Sequence, residues 1–324
     1  MGRPMHYLMF TGGKSNELFD LMFSDLNKDA RVTMESGLPE HDLKGLYKLH
    51  HARSLNRHRP APFRFLWESS RMEAVVRLAA EEHGKLCLIF NNFSLPYFEP
   101  SQIKAWKKRY GVKLVLCFID RLESYFAKEA LMYEKNIPFD AVYSYYRRDA
   151  ESAGFKYFDC YYSRQELPQT DEHYDVYFWG SDTGRRQMLE SVYKRLTELD
   201  LTVKMGICYA QGGEPYIKGI EYDHDKKYDE VLKDIAGSDV LLDIIAGEGG
   251  VSLRYYEALA YGKKLISNNP EIKNMRLYDP QRMLLIEKAQ DIDADVFKKD
   301  AEIKPYADEL SPVRWIDELD AQFL

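Results

Sequence analysis

The sequence predicts an α/β protein made of two Rossmann-like, doubly wound domains facing an interdomain cleft. Three observations lead there. Short apolar runs alternate with helical repeats, the alternation occurs twice on either side of a polar stretch, and the second series holds a glycine-rich turn between an apolar strand and a helix, within residues 239–267. A chain of 324 residues has room for two such cores.

In the first series, residues 6–10, 86–90, 112–119 and 141–144 are largely apolar runs of strand length, the pattern of parallel strands covered on both faces. Helical spacing over residues 73–82, 101–110 and 123–134 supplies the cover. Gly12 and Gly13 follow the first strand, where a glycine turn suits either close approach of an acceptor or an ordinary turn. Residues 163–173 are polar, contain Pro168 and lack apolar periodicity, so the domains are drawn as 1–167 and 168–324.

The second series repeats the plan. Strands are expected at 174–179, 202–208, 240–245, 265–266 and 283–286, helices at 185–199 and 227–235, and a closing helix from Pro312 through Trp315 and Leu319. Between Gln211 and Asp225 lies a polar, glycine-containing loop of a length that suits a flap. No short-period repeat accompanies this duplication of architecture.

Composition narrows the function. A net charge of −7 argues against nucleic acid as a partner of the whole surface. From Lys44 to Arg71, however, seven Lys or Arg residues face one acid, Glu68, which suits either a solvated helix face or contact with an anionic lipid carrier or membrane leaflet. No run approaches the ~20 apolar residues of a membrane helix, and the first residues lack a signal-peptide core, so a cytoplasmic protein is expected, peripheral at the inner membrane face if the basic run docks there. Cys87, Cys117, Cys160 and Cys208 form no CxxC pair and read as buried free thiols. The Asp223 and Asp225 pair sits in the flap, so no metal site is assigned.

In open α/β sheets ligands gather beyond the carboxyl ends of strands. In the second domain that places residues 180–186, among them Gly180, Ser181, Arg185 and Arg186, together with Tyr209 and residues 247–257 at the ligand, with Tyr209 and Ile244 near a nucleotide base. The turn with Gly247, Gly249 and Gly250 lets backbone come close to a phosphate. Arg254 lies in the first helical turn, where a cation opposes the macrodipole by about 0.3 to 1 kcal/mol. An anion should face it. Glu257 on the same helical face is one choice, as a surface pair of about 0.2 to 0.5 kcal/mol, and a bound diphosphate is the other. Asp120, just after a first-domain strand, is the candidate general base, or else the cap of the helix beginning near Glu123.

These residues also resemble a family. Residues 174–186 (YDVYFWGSDTGRR), 237–243 (GSDVLLD) and 250–267 (GVSLRYYEALAYGKKLIS) resemble the carboxyl-terminal donor domain of GT-B glycosyltransferases, and most of all bacterial lipopolysaccharide and capsule biosynthesis members. Residues 139–163 add a weaker likeness, and together they cover roughly half the chain. The resemblance implies a nucleotide-sugar bound by the second domain and a surface glycan or lipid-linked acceptor held by the first; Arg254, Arg185 and Arg186 could then stabilise the leaving phosphate without a metal, so no cofactor is expected. It implies that Glu257 contacts the ribose, that Val251, Ser252 and Leu253 give backbone contacts to the diphosphate with Gly250 beside them in the donor site, and that Arg185 or Arg186 neutralises the leaving phosphate. Glu248 matches the other glutamate of the retaining-enzyme motif, but Glu248 and Glu257 enclose eight residues where the motif has seven, which leaves retention of stereochemistry open. A non-catalytic nucleotide-sugar-binding subunit and a nucleotide-sugar epimerase are the alternatives. An NAD-dependent oxidoreductase is weaker, since no GxGxxG follows an early strand.

Overall fold

The computed structural model describes residues 4–12, 17–36, 68–159, 161–213, 216–247, 250–293 and 303–324. The chain forms two compact units, Met1–Ser163 together with Ser311–Leu324, and Arg164–Leu310. Gly13, Glu248 and Cys160 lie outside the described residues, as does the basic run from Lys44 up to residue 67.

The first unit runs β1 His6–Phe10, α1 Glu17–Met22, β2 Val32–Glu35, α2 Glu68–His83, β3 Leu86–Asn91, α3 Pro100–Tyr110, β4 Lys113–Phe118, α4 Tyr125–Glu134, β5 Ala141–Ser144, α5 Arg147–Ala153 and β6 Lys156–Tyr157. Its strands form a parallel sheet ordered β2-β1-β3-β4-β5-β6. Alternate residues serve opposite faces. Tyr7, Met9, Cys87, Ile89 and Val115 fill one core, while Leu8, Phe10, Leu88, Phe90, Leu114 and Leu116 fill the other. That double burial is why these strands read as continuous apolar runs.

The second unit runs β7 Tyr174–Ser181, α6 Arg186–Glu198, β8 Val203–Cys208, β9 Ile220–Tyr222, α7 Tyr228–Ala236, β10 Ser238–Asp243, α8 Leu253–Ala260, β11 Lys264–Ser267, β12 Met283–Leu285 and α9 Ala307–Leu310. All its strands are parallel, in the order β12-β11-β10-β7-β8-β9. Each unit is therefore a Rossmann-like lobe. Cys87, Cys117 and Cys208 are buried free thiols.

Three strands escape the sequence pattern. β2 and β6 are short edge strands, each with a single neighbour, and β9 lies inside the stretch expected to be a flap. Strands of two to four residues carry too few side chains to show a period.

The closing helix corrects the expected assignment to the second domain. α10, Val313–Phe323, buries Trp315, Ile316 and Leu319 in the core of the first sheet beside Tyr7, Met9 and Cys87. Tyr7 donates to Asp320 at 2.6 Å, and Arg31 holds Asp320 at 2.7 Å and Asp317 at 2.8 Å. Its apolar stripe shows that one face is buried but not which sheet receives it. Among the described residues no helix is long and apolar enough to cross a membrane.

Candidate functional site

The second sheet changes direction between β7 and β10: the chain winds outward through β8 and β9, then returns to the other side of β7. At such a switch point the loops leaving the two strands diverge and open a crevice. The turn after β7 leads into α6, and the loop after β10 leads into α8. Arg185 stands at the cap of α6 and Arg254 in the first turn of α8.

The two guanidiniums converge. Arg254 lies 4.6 Å and Arg185 5.1 Å from the ring centroid of Phe178 on β7. Gly180, one step from the end of β7, makes room: a Cβ there would fall 2.5 Å from Nη2 of Arg254 and 3.2 Å from Nη2 of Arg185. Carbonyl oxygens hold both heads. Arg185 donates from Nε to Ser181 O at 2.9 Å and from Nη1 to Ile244 O, while Arg254 donates to Trp179 O. Neither forms an ion pair among the described residues. Burial and the adjacent Arg254 charge pull the Arg185 pKa down to about 10, against Asp243 and Asp182.

The expected alternative, an Arg254–Glu257 surface pair, is not what the structure contains. Glu257 is only 4% exposed and accepts from the Tyr228 hydroxyl at 2.8 Å. Burial pushes its carboxyl above the ordinary glutamate range, partly offset by Arg254 and Tyr228.

Buried carboxylates set the frame. Asp243, the last residue of β10, accepts from Ser252 Oγ at 2.6 Å and from Ser267 Oγ at 2.9 Å. Ser252 Oγ in turn accepts from Arg254 N at 3.2 Å, capping α8. The Leu253 N–H has no protein acceptor among the described residues. Asn268 grips Ile245 at both N and O, Asn269 donates to Gly250 O at 3.2 Å, and Gly247 stands at φ 66°. After β7, Asp182 accepts from the N–H groups of Gly184, Arg186 and Gln211. Burial opposes ionisation of Asp182, yet these N–H donors hold its carboxyl below the usual range. Asp182 falls within residues 180–186, expected at the ligand, whereas Asp243 does not; its signal is an acid ending the otherwise apolar run of β10.

Sequence reasoning groups Arg186 with Arg185, and the structure separates them. Arg186 pairs with Glu190 at 2.6 Å, donates to Gln211 O and Gly213 O, and lies over the rings of Tyr216 and Tyr222. It anchors the loop after β8 and leaves the crevice to Arg185. Tyr209 opens that loop at φ 52°, 65% exposed, its hydroxyl bound to Asp225. Ile244 is fully buried, and its carbonyl already serves Arg185. Gly180 and Ser181 end β7, Gly250, Val251 and Ser252 belong to the loop after β10, and Leu253 opens α8.

In the first unit, Gly12 leaves β1 at φ 95°, its N–H bound to Ser36 O at 3.1 Å. Asp120 follows β4, and its carboxyl is raised by burial while Asn92 and Ser124 pull it down. The cap of α4 is Ser124, whose hydroxyl accepts from Ala127 N at 3.2 Å, so Asp120 is not used for that purpose. Among the described residues no group of three or more His, Cys, Asp or Glu side chains could hold a metal ion.

No family model matches the chain, and no curated protein matches it. Solved structures do. A putative UDP-N-acetylglucosamine 2-epimerase from Listeria monocytogenes is 11% identical over 99% of this chain and 97% of that one, with a TM-score of 0.53. Anabaena HepE in complex with UDP-glucose is 12% identical over 99% of each chain, at 0.54. HepE in complex with UDP and glucose is 11% identical over 99% of this chain and all of that one, at 0.55. At such identities the likeness shows the fold: two Rossmann-like lobes of the GT-B type.

Proposed function

We propose that this protein is a glycosyltransferase that moves a sugar from a nucleotide-diphosphate sugar to a growing surface glycan or its lipid-linked precursor. The observation that carries the reading is the pair of guanidiniums at the switch point of the second sheet, held by carbonyls and lacking a carboxylate partner among the described residues. Two adjacent cations call for an anion with more than one charge, and a diphosphate supplies it. In transfer, an acceptor oxygen bonds to the sugar anomeric carbon as the bond to the diphosphate breaks, and negative charge develops on the leaving group. Arg185, Arg254 and the Leu253 N–H are preorganised donors for that charge. Asp120, whose burial raises its proton affinity, is the group proposed to take the acceptor proton. Glu257 is proposed to support the donor from beneath, through Tyr228 and Arg254, since its burial does not leave it open to ribose hydroxyls.

The test is thermal melting with UDP, GDP, CDP, ADP and TDP. At least one should raise the melting temperature, and Arg254→Ala should abolish the rise. Indifference to all five sinks the proposal. The fold shared with the putative epimerase favours a second reading, conversion of the nucleotide-sugar itself. Incubation of UDP-N-acetylglucosamine without acceptor separates the two: an epimerised sugar supports the second reading, and an unchanged donor leaves transfer.

A further inference from the structure

The segment that leaves β11 is connected through hydrogen bonds to both arginines of the pair. Ser267, Asn268 and Asn269 follow one another, and each sends its side chain to the stretch between the end of β10 and α8. Ser267 pairs in register with Asp243 and donates to its Oδ2 at 2.9 Å. Asp243 in turn holds Ser252, the cap of α8, two residues ahead of Arg254. Asn269 reaches the same loop at Gly250 O.

Asn268 serves the other arginine. Its Oδ1 accepts from Ile245 N at 2.7 Å and its Nδ2 donates to Ile245 O at 3.0 Å, so one amide closes on both backbone groups of one residue. The Ile245 N–H and the Ile244 carbonyl belong to the same peptide unit, which is planar and points the two groups in opposite directions. Fixing that N–H therefore fixes where the carbonyl points, and the carbonyl accepts from Arg185 Nη1. β10 ends at Asp243, so strand pairing no longer orients this peptide. The charge of Arg254 acts against that of Arg185, and a guanidinium under such repulsion keeps its place only if its acceptor is fixed.

We propose that Asn268 is a positioning residue of the donor site: it aims the Ile244 carbonyl, and through it the Arg185 guanidinium, at the diphosphate position shared with Arg254. The inference rests on the transferase reading for its role but has a readout of its own. Arg186 is the contrast within the same chain, since Glu190, Gln211 O and Gly213 O hold it by a separate route.

Peptide mapping of the full chain after timed exposure to phenylglyoxal, which modifies accessible guanidiniums, tests the placement without a ligand. In Asn268→Ala, Arg185 should react about threefold faster than in the parent or more, while Arg186 keeps its rate. General loosening would speed both. Asn268→Ser, whose hydroxyl is too short to span both backbone atoms, is the second variant should alanine lower the yield of folded chain. Calorimetric titration tests the role. Asn268→Ala should bind UDP about three- to tenfold more weakly than the parent, and the same change in an Arg185→Ala background should alter affinity by less than about twofold, because the effect travels through Arg185. Unchanged Arg185 reactivity, equal acceleration of both arginines, or an equal loss of affinity with and without Arg185 overturns the inference. A parent that binds neither UDP nor pyrophosphate, while Asn268→Ala still exposes Arg185 selectively, would instead overturn the donor reading and leave the alignment of Arg185 standing.

Discussion

An alanine at Gly180 probes the arginine pair without altering either arginine. Its Cβ would fall 2.5 Å from Nη2 of Arg254 and 3.2 Å from Nη2 of Arg185, so the Arg254 head must move and release the Trp179 carbonyl. Both obstructing atoms end long side chains, so the backbone need not shift, and the stability loss should stay near ~1 kcal/mol. Ligand binding responds more. A hydrogen bond to a charged group contributes about 1.5 to 3 kcal/mol, so displacing Arg254 from a diphosphate weakens binding about 10- to 150-fold. A nucleotide at about 100 times its Kd stabilises by ~2.7 kcal/mol, and a tenfold loss of affinity leaves ~1.4. For a domain the size of the second unit that removes about 3 to 5 °C of ligand-induced shift. Melting curves with and without the best nucleoside diphosphate, backed by calorimetric titration, measure it. Arg186→Ala is the control: it should lower the melting temperature through loss of the loop anchor and preserve the nucleotide response. If Gly180→Ala binds nucleotide as tightly as the parent, the guanidiniums above Gly180 do not hold the diphosphate.

Two further predictions concern stability. Gly262 ends α8 at φ 64°, and a Cβ there would lie 2.7 Å from Ile303 O, so Gly262→Ala combines left-handed strain with a backbone clash and should cost about 2 kcal/mol or more; a urea midpoint equal to the parent's would refute it. Burial of Glu257 raises its carboxyl above 4.5, so the folded state binds the extra proton in the window above that value, and ionisation there costs stability that is regained below it. Glu257→Gln, which keeps an acceptor for Tyr228, should therefore raise the melting temperature at about pH 7.5 and lose that gain by about pH 4. A gain that persists undiminished into acid would show that burial of the charge is not the cause.

The parts of the fold legible in the sequence are those whose burial is two-sided. β1, β3 and β4 are covered on both faces and appear as apolar runs, whereas β2, with one neighbour and no fully buried residue, leaves no such trace. α10 shows its apolar stripe but not its destination, because Trp315 packs against the rings of Phe23, Tyr143, Phe158 and Tyr161, all in the first half of the chain. The candidate site follows the same rule. Arg254 is conspicuous because a cation opposes the helix dipole locally, and Gly180 because it follows an apolar run of strand length. That Arg185 and not its neighbour Arg186 joins Arg254 depends on Glu190, Tyr216 and Tyr222, which reach Arg186 across a helical turn and a loop. The buried position of Glu257 likewise depends on Tyr228 from another helix.

The arginine pair contrasts with three other described arginines. Arg31 sits among three carboxylates, Asp29, Asp317 and Asp320, and Arg186 closes on Glu190. Arg282 is also held by carbonyls, those of Lys304, Ala258 and Lys263, but at 3% exposed it is sealed from any ligand. Arg185 and Arg254 are only half-buried, and they repel each other. Acids stand close by, yet Asp243 spends its oxygens on two serine hydroxyls and Asp182 spends its own on backbone N–H groups. Strand-end carbonyls orient the two cations as dipoles without cancelling their charge. The acids thus fix the loops while the positive field stays open to solvent, an arrangement that lowers stability in isolation and is relieved when an anion arrives.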